Sequence, residues 1–393
     1  MKLFKKEPTF DILGLAPRLR VLSMIAVITS VVAIGLMGLN FGIDFAGGYE
    51  IQVKFSKAVS ESEIKQALEP MGIADARVQR FGQVSANEYL IMIREQGTIQ
   101  NAVKQALRSD FEALAGSVDN LTHWALAESG ESLNVAFGSA VSEEQVQAIL
   151  SKHQLEVKSI DKGEREDKPE FMVYLVSLAD KIEQSLMTAL EIPATENIVK
   201  RVEFVGPQVG AELRNQGIMA IIYALGFILL YIAIRFDFSF APGAIVALVH
   251  DVLITVGVFA IFQLEFNLPI IAAILALVGY SLNDTIVVYD RIRENGLRLR
   301  GRGLRDLVNT SINQTLSRTL LTSGTTLMVV IALMLFGGGI IKDFSIALCI
   351  GVIVGTYSSV YVASPVYIAL RERSEDAGAP SNTKKKRTVS SAA

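Results

Sequence analysis

The sequence predicts a polytopic α-helical membrane protein with six transmembrane helices and an extracytoplasmic α+β insert of two tandem βαββαβ modules between the first and second helix. Three observations predict it. Long runs almost free of charge, beginning with the 19 residues Val21–Leu39, are apolar enough to cross a bilayer. A charge-rich stretch, residues 49–205, interrupts them after the first run. That stretch repeats itself at an offset of 82 residues: Phe55–Glu61 (FSKAVSE) matches Phe137–Glu143 (FGSAVSE), and Glu88–Ile93 (EYLIMI) matches Glu170–Leu175 (EFMVYL).

Composition narrows the function. Half of the residues (51%) are hydrophobic, as expected for a membrane protein carrying a soluble insert. A net charge of −3 is too small to imply a nucleic-acid partner. Cys349 is the only cysteine, which excludes an intrachain disulfide and a cysteine-based metal site. His123, His153 and His250 are scattered without metal-ligand spacing. The insert shows no nucleophile, acid/base pair or phosphate loop, so the expectation is a non-enzyme without metal or cofactor.

Taken in order, residues 1–20 carry Lys2, Lys5, Lys6, Arg18 and Arg20 and read as a cytoplasmic N-terminus. Residues 21–40 are the first span, too long for a signal-peptide core. Gly42–Glu50 (GIDFAGGYE) follows, where Gly42, Gly47 and Gly48 allow a sharp turn and Asp44 lies just past the membrane exit. The modules are expected at 49–128 and 129–205. In each, an alternating strand (Ile51, Val53, Phe55; Leu133, Val135, Phe137) leads to a serine N-cap (Ser60; Ser142) with Glu63 or Gln145 at the capping-box position. Two strands, a second helix and a last strand complete a ferredoxin-like, split-βαβ order. Residues 212–370 hold spans two to six: about Ile218–Ile234, Pro242–Phe262, the stretch Leu268–Asn295, Thr319–Phe336 and Phe344–Leu370. Arg235 and Asp237 mark a tight turn, and Lys342 and Asp343 are expected ahead of the last span. The arginines of 291–305 fit a cytoplasmic loop, and 371–393 a disordered cytoplasmic tail. Both termini are then cytoplasmic.

Asp284 stands inside the fourth apolar run, beside Tyr280, Ser281 and Asn283. A charge at that depth costs about 2.5–3.5 kcal/mol on insertion scales, which points to function unless the residue reaches the headgroups. In the fifth span Gln314, Arg318, Thr322 and Thr325 fall on one helical face. Arg318 is either the counter-charge of Asp284 or an interfacial arginine that snorkels. His250 and Asp251 put an acid beside an imidazole in the third span. A carboxylate whose surroundings alternate can take up a proton on one side and release it on the other. One proton crossing ~150 mV supplies roughly 3.5 kcal/mol.

These motifs carry a resemblance. GIDFAGG (Gly42–Gly48), FVGPQVGAEL (Phe204–Leu213), VGYSLNDTIVVYDRIREN (Val278–Asn295), QTLSRTLLTSGTT (Gln314–Thr326) and the FGG turn (Phe336–Gly338) are similar to those of the SecF family of protein-export membrane proteins, which stands with SecD in the resistance-nodulation-division superfamily. The resemblance implies an inner-membrane subunit that pairs with SecD, making twelve spans beside the SecYEG channel, with YajC and the translocating preprotein as further partners. It implies use of the proton motive force to assist translocation. It gives Asp284 the role of the proton-conducting aspartate, Arg318 that of its partner, and Gly42–Gly48 that of a linker at the base of the outer domain. It carries no definite role to His250 or Asp251. SecF usually has one small outer module, so the two read here are a departure. Two alternatives remain open: a proton-driven small-molecule exporter of the same superfamily, and a passive translocon scaffold.

Overall fold

The computed structural model describes residues 8–378 apart from 74–75, 82–83, 95–98, 100, 164–168, 194, 236–238 and 300. Asp237 and the end of the expected tail therefore lie outside the described residues.

Six helices among the described residues are long and apolar enough to span a membrane. They are α1 (Ile12–Met37), α7 (Pro207–Arg235), α8 (Ala241–Ile261), α9 (Leu268–Arg298), α10 (Leu304–Phe336) and a last one in two parts. The last begins as α11 (Gly339–Ser358), passes through a π-helical turn at Ser359–Ala363, and ends as α12 (Ser364–Gly378).

Several ends differ from the hydropathy pattern, because capping and docking decide helix ends. α1 starts at Ile12, since Asp11 accepts from Gly14 N–H at 2.9 Å and so caps it. α10 starts well before its apolar part. Its first turns hold the N-terminal segment through Asn309 and Asn313, whose Oδ1 atoms accept from Ile12 and Phe10 N–H at 3.0 and 2.9 Å. Lys342 and Asp343 sit inside α11 rather than ahead of it. Residues 371–378 continue α12, so the expected disorder does not begin at 371.

The remaining elements, in chain order, are β1 (Asn40–Phe41), α2 (Ile43–Ala46), β2 (Gly48–Lys54), α3 (Glu61–Leu68), β3 (Arg77–Phe81), β4 (Glu88–Ile93), α4 (Asn101–Leu114), β5 (Leu121–Leu126), β6 (Ser132–Phe137), α5 (Glu143–Lys152), β7 (Val157–Lys162), β8 (Glu170–Leu175), α6 (Leu178–Ala189), β9 (Val199–Val205) and β10 (Glu265–Phe266). Both expected capping boxes form, Ser60 with Glu63 and Ser142 with Gln145.

The modules are not arranged in tandem. The strands form two antiparallel four-stranded sheets, β3-β4-β2-β9 and β5-β6-β8-β7. Each sheet holds a β-α-β-β run from one repeat and the closing α-β pair of the other. The cores show the same exchange: Ala179, Ile182 and Leu186 of α6 pack with Ile51, Val53 and Ile91, while Leu107 and Phe111 of α4 pack with Leu133, Val135 and Phe171. The cause is local. β5 and β6 are joined by only residues 127–131, and the hairpin they form draws β5 into the second sheet. The open edge of β2 is then filled by β9. The boundary at 128/129 is a boundary of sequence, not of structure.

Candidate functional site

The membrane helices bury two carboxylates. Asp251 on α8 is 1% exposed and Asp284 on α9 is 3% exposed. Buried charge calls for hydrogen-bond partners, and the two sites answer that need unequally.

Asp251 is fully surrounded. Ser281 Oγ of α9 and Ser358 Oγ of α11 donate to its Oδ2 at 2.5 and 2.8 Å. His250 Nδ1 lies 2.9 Å from its Oδ1. The His250 ring lies against Tyr357, 6.2 Å between centroids, and Tyr357 donates to the Leu19 carbonyl of α1 at 2.6 Å. The network thus ties four helices together. Gly355 makes the approach of α11 possible, since a Cβ there would meet Ser281 Cβ at 2.9 Å. At the π-helical turn, Ser359 Oγ pairs with Thr285 Oγ1 at 2.9 Å.

Asp284 has little. Among the described residues its one side-chain hydrogen bond is from Ser323 Oγ of α10, at 3.4 Å, and Ser323 is itself 2.7 Å from Thr356 Oγ1 of α11. The hydroxyls of Tyr280 on α9 and Thr319 on α10 are buried without any partner among the described residues.

Arg318 does not pair with Asp284. No nitrogen–oxygen contact within 4.0 Å joins them, and Arg318 is exposed. It lines an open groove of about 500 Å³ with Tyr231, Asn283, Asp290 and Gln314. The helical face facing Asp284 is the adjacent one, Thr315, Thr319 and Ser323, all buried. One residue is a 100° rotation on a helix, so the face read from Gln314, Arg318, Thr322 and Thr325 points elsewhere. Thr322 and Thr325 return their hydroxyls to carbonyls of their own helix, at 3.0 Å to Arg318 O and 2.9 Å to Leu321 O. Sequence reasoning missed Ser323, Thr356, Ser358 and Ser359. Their signal was the run of small hydroxyl residues in otherwise apolar spans, which is the residue type that glues membrane helices.

The glycine motif clasps the top of the bundle. Gly47 and Gly48 adopt φ of +76° and +124°, and a Cβ on Gly48 would strike the Ile93 carbonyl at 2.1 Å. Between them and β1, α2 lays Phe45 against Phe266, 6.1 Å between centroids, and into the cluster of Phe259, Ile270 and Ile271. β1 pairs with β10 as a short parallel ribbon. Asp44 Oδ2 then accepts from Leu268 N–H at 3.0 Å. Leu268 is the first residue of α9, whose own Asn267 makes no side-chain cap. Asp44 therefore caps, from outside, the helix that carries Ser281 and Asp284.

The comparisons with known proteins agree with this frame. The model for the C-terminal part of the protein export membrane proteins SecD/SecF matches residues 186–373, and that for the SecD/SecF GG motif matches residues 32–59. Protein translocase subunit SecF of Magnetococcus marinus is 38% identical over 94% of this chain and 94% of its own length. That of Koribacter versatilis is 37% identical over 84% of this chain and 82% of its own. The crystal structure of SecDF from Thermus thermophilus, a translocon-associated membrane protein, superposes with a TM-score of 0.64 at 30% identity, over 94% of this chain and 40% of that one. SecDF in its super-membrane-facing form gives 0.58 at 31%, with this chain spanning 40% of it. Matching relatives at above 30% identity over most of their lengths, this multi-pass membrane protein belongs to the SecF family of protein translocase subunits.

Proposed function

We propose that this chain is the SecF half of a SecD–SecF machine that uses the proton motive force to assist protein translocation. Asp284 is its proton-carrying residue. The observation that carries this reading is the contrast in partners: Asp284 is buried with a single 3.4 Å hydrogen bond, on a helix whose outer end is capped by Asp44 of the glycine motif. A carboxylate held so loosely changes charge without dismantling the bundle. A shift in its helix is passed to the base of the outer sheets through Asp44 and the β1–β10 ribbon.

Arg318 serves as a counter-charge offered on the surface rather than a resident partner. An exposed arginine within a membrane helix, beside exposed Asn283, does not face lipid at rest. SecD supplies the covering surface and the second half of a two-fold core. The machine sits in the bacterial cytoplasmic (inner) membrane beside SecYEG and YajC, with both termini cytoplasmic and residues 49–205 periplasmic, where they meet the preprotein. The gradient is its energy source, with no bound cofactor or metal.

The test is Asp284→Asn, matched to wild type for assembly with SecD, in membranes with and without a proton gradient. The gradient-dependent part of preprotein export is expected to vanish while gradient-independent export persists. Export equal to wild type would leave the passive scaffold as the better reading.

A further inference from the structure

The clasp holds a group that the proton pathway in the bundle does not use. Glu265, on β10, stands at the wall of a cavity of about 350 Å³ lined by Phe41, Gly42, Ile43, Arg77, Met92 and Arg94. Its carboxylate lies directly over Gly42, where a Cβ would meet Glu265 Oε1 at 2.5 Å. No ion pair within 4.0 Å forms between Glu265 and any described residue. Three elements bring like charge within electrostatic range of it: β2 with Glu50, α11 with Asp343 and α2 with Asp44. Arg77 from β3 opposes them from a distance. Arg94 beyond β4 is turned to the Asn40 side chain and the Phe41 carbonyl, the latter at 3.1 Å.

We propose that Glu265 is a proton-binding switch on the outer face, closing the clasp between the insert and the α8–α9 turn when neutral and loosening it when ionised. Neutral Glu265 sits over Gly42 at no electrostatic cost, and the ribbon and the Asp44 cap hold. Ionised Glu265 is repelled by Glu50, Asp343 and Asp44, and moves toward Arg77 across the cavity. Burial first, then Glu50 and Asp343, push this carboxyl from 4.5 up to about 7. The folded clasp thus binds the proton more tightly than the free chain. The stability this proton contributes is fully present below about pH 4.5, declines as pH rises, and is lost above about 7. The proton-rich outer side of an energised membrane holds it closed. The proposal deepens the proton-coupled reading for its purpose, but the switch itself needs no gradient.

The experiment is a distance measurement between spin labels at Lys65 on α3 and Phe262 at the end of α8, both exposed, in full-length protein in nanodiscs with Cys349 replaced by alanine. From pH 5.5 to 8.5 the wild-type distribution is expected to broaden with a midpoint near 7. Glu265→Gln is expected to stay narrow throughout. Glu50→Gln, which removes one repelling charge, is expected to move the midpoint to lower pH by half a unit or more. A pH-independent wild type, or a Glu50→Gln variant with the wild-type midpoint, overturns the switch whatever Glu265→Gln does. Neither result bears on Asp284, whose role is read from gradient-dependent export.

Discussion

The two buried carboxylates differ in how completely their surroundings answer their charge. Asp251 meets three side chains from three helices within 2.9 Å, counting its neighbour His250. Asp284 meets one at 3.4 Å. Both are buried, so it is the shells that set them apart. A saturated carboxylate is a joint: it holds α8, α9 and α11 in one arrangement and resists change. A sparse one is held by little and responds to what approaches it. Depth in the membrane alone does not distinguish them.

The largest effect expected from breaking this contrast is at the joint. Asp251→Ala takes the partner from the Ser281 hydroxyl and from His250 Nδ1 and leaves Ser358 only the Gly355 carbonyl, and is expected to cost about 3 kcal/mol. Thermal unfolding in detergent should show it as a lowered midpoint, or the protein should fail to accumulate. A wild-type midpoint would mean that the shell of Asp251 is dispensable.

Next comes the cap that both carboxylate sites share through α9. Asp44→Ala is expected to cost about 1 kcal/mol, with Asp44→Asn closer to wild type because either side chain caps a helix. Amide exchange in the first turn of α9 should speed up in the alanine variant and recover in the asparagine one. Equal exchange in all three would remove the link between the glycine motif and α9.

The smallest change in stability is expected at the sparse site itself. Ser323→Ala removes the long hydrogen bond to Asp284 and the 2.7 Å contact with Thr356, whose hydroxyl keeps the Val352 carbonyl, and is expected to cost about 1 kcal/mol. Its effect belongs in the pH dependence of gradient-driven export, which should shift. Thr322→Ala, one residue along and facing away, should leave that profile unmoved. If the two behave alike, the face assigned to Asp284 is wrong.

The glycine motif teaches the same lesson from outside the membrane. Its residues stand out in the chain, yet nothing in GIDFAGG announces that Asp44 ends on the N–H of Leu268, 224 positions away. The choice left open for Arg318, counter-charge or interfacial arginine, turns on the opposite limit. Helical periodicity orders residues around one helix but does not say which side faces a neighbour. Ser323 and Arg318 lie in the same two turns of α10, and only packing separates the buried face from the exposed one.

What the sequence by itself determined was everything that depends on local chemistry. Long apolar runs became the six candidate spans, since a backbone in lipid satisfies its hydrogen bonds only within a helix. Serine with an acid or amide three residues on became capped helices, and alternation became strands. The repeat at 82 residues became two sheets of like design. Tertiary structure alone decided the pairings between distant segments. Two repeats offer interchangeable α-β pairs to either sheet, and connector length, not composition, chose the exchange. Two aspartates in apolar helices look alike in a chain; one became a joint and the other a sparsely held carboxyl because α9 and α11, brought close by small residues, placed their serine hydroxyls on the first and left the second with one long hydrogen bond among the described residues.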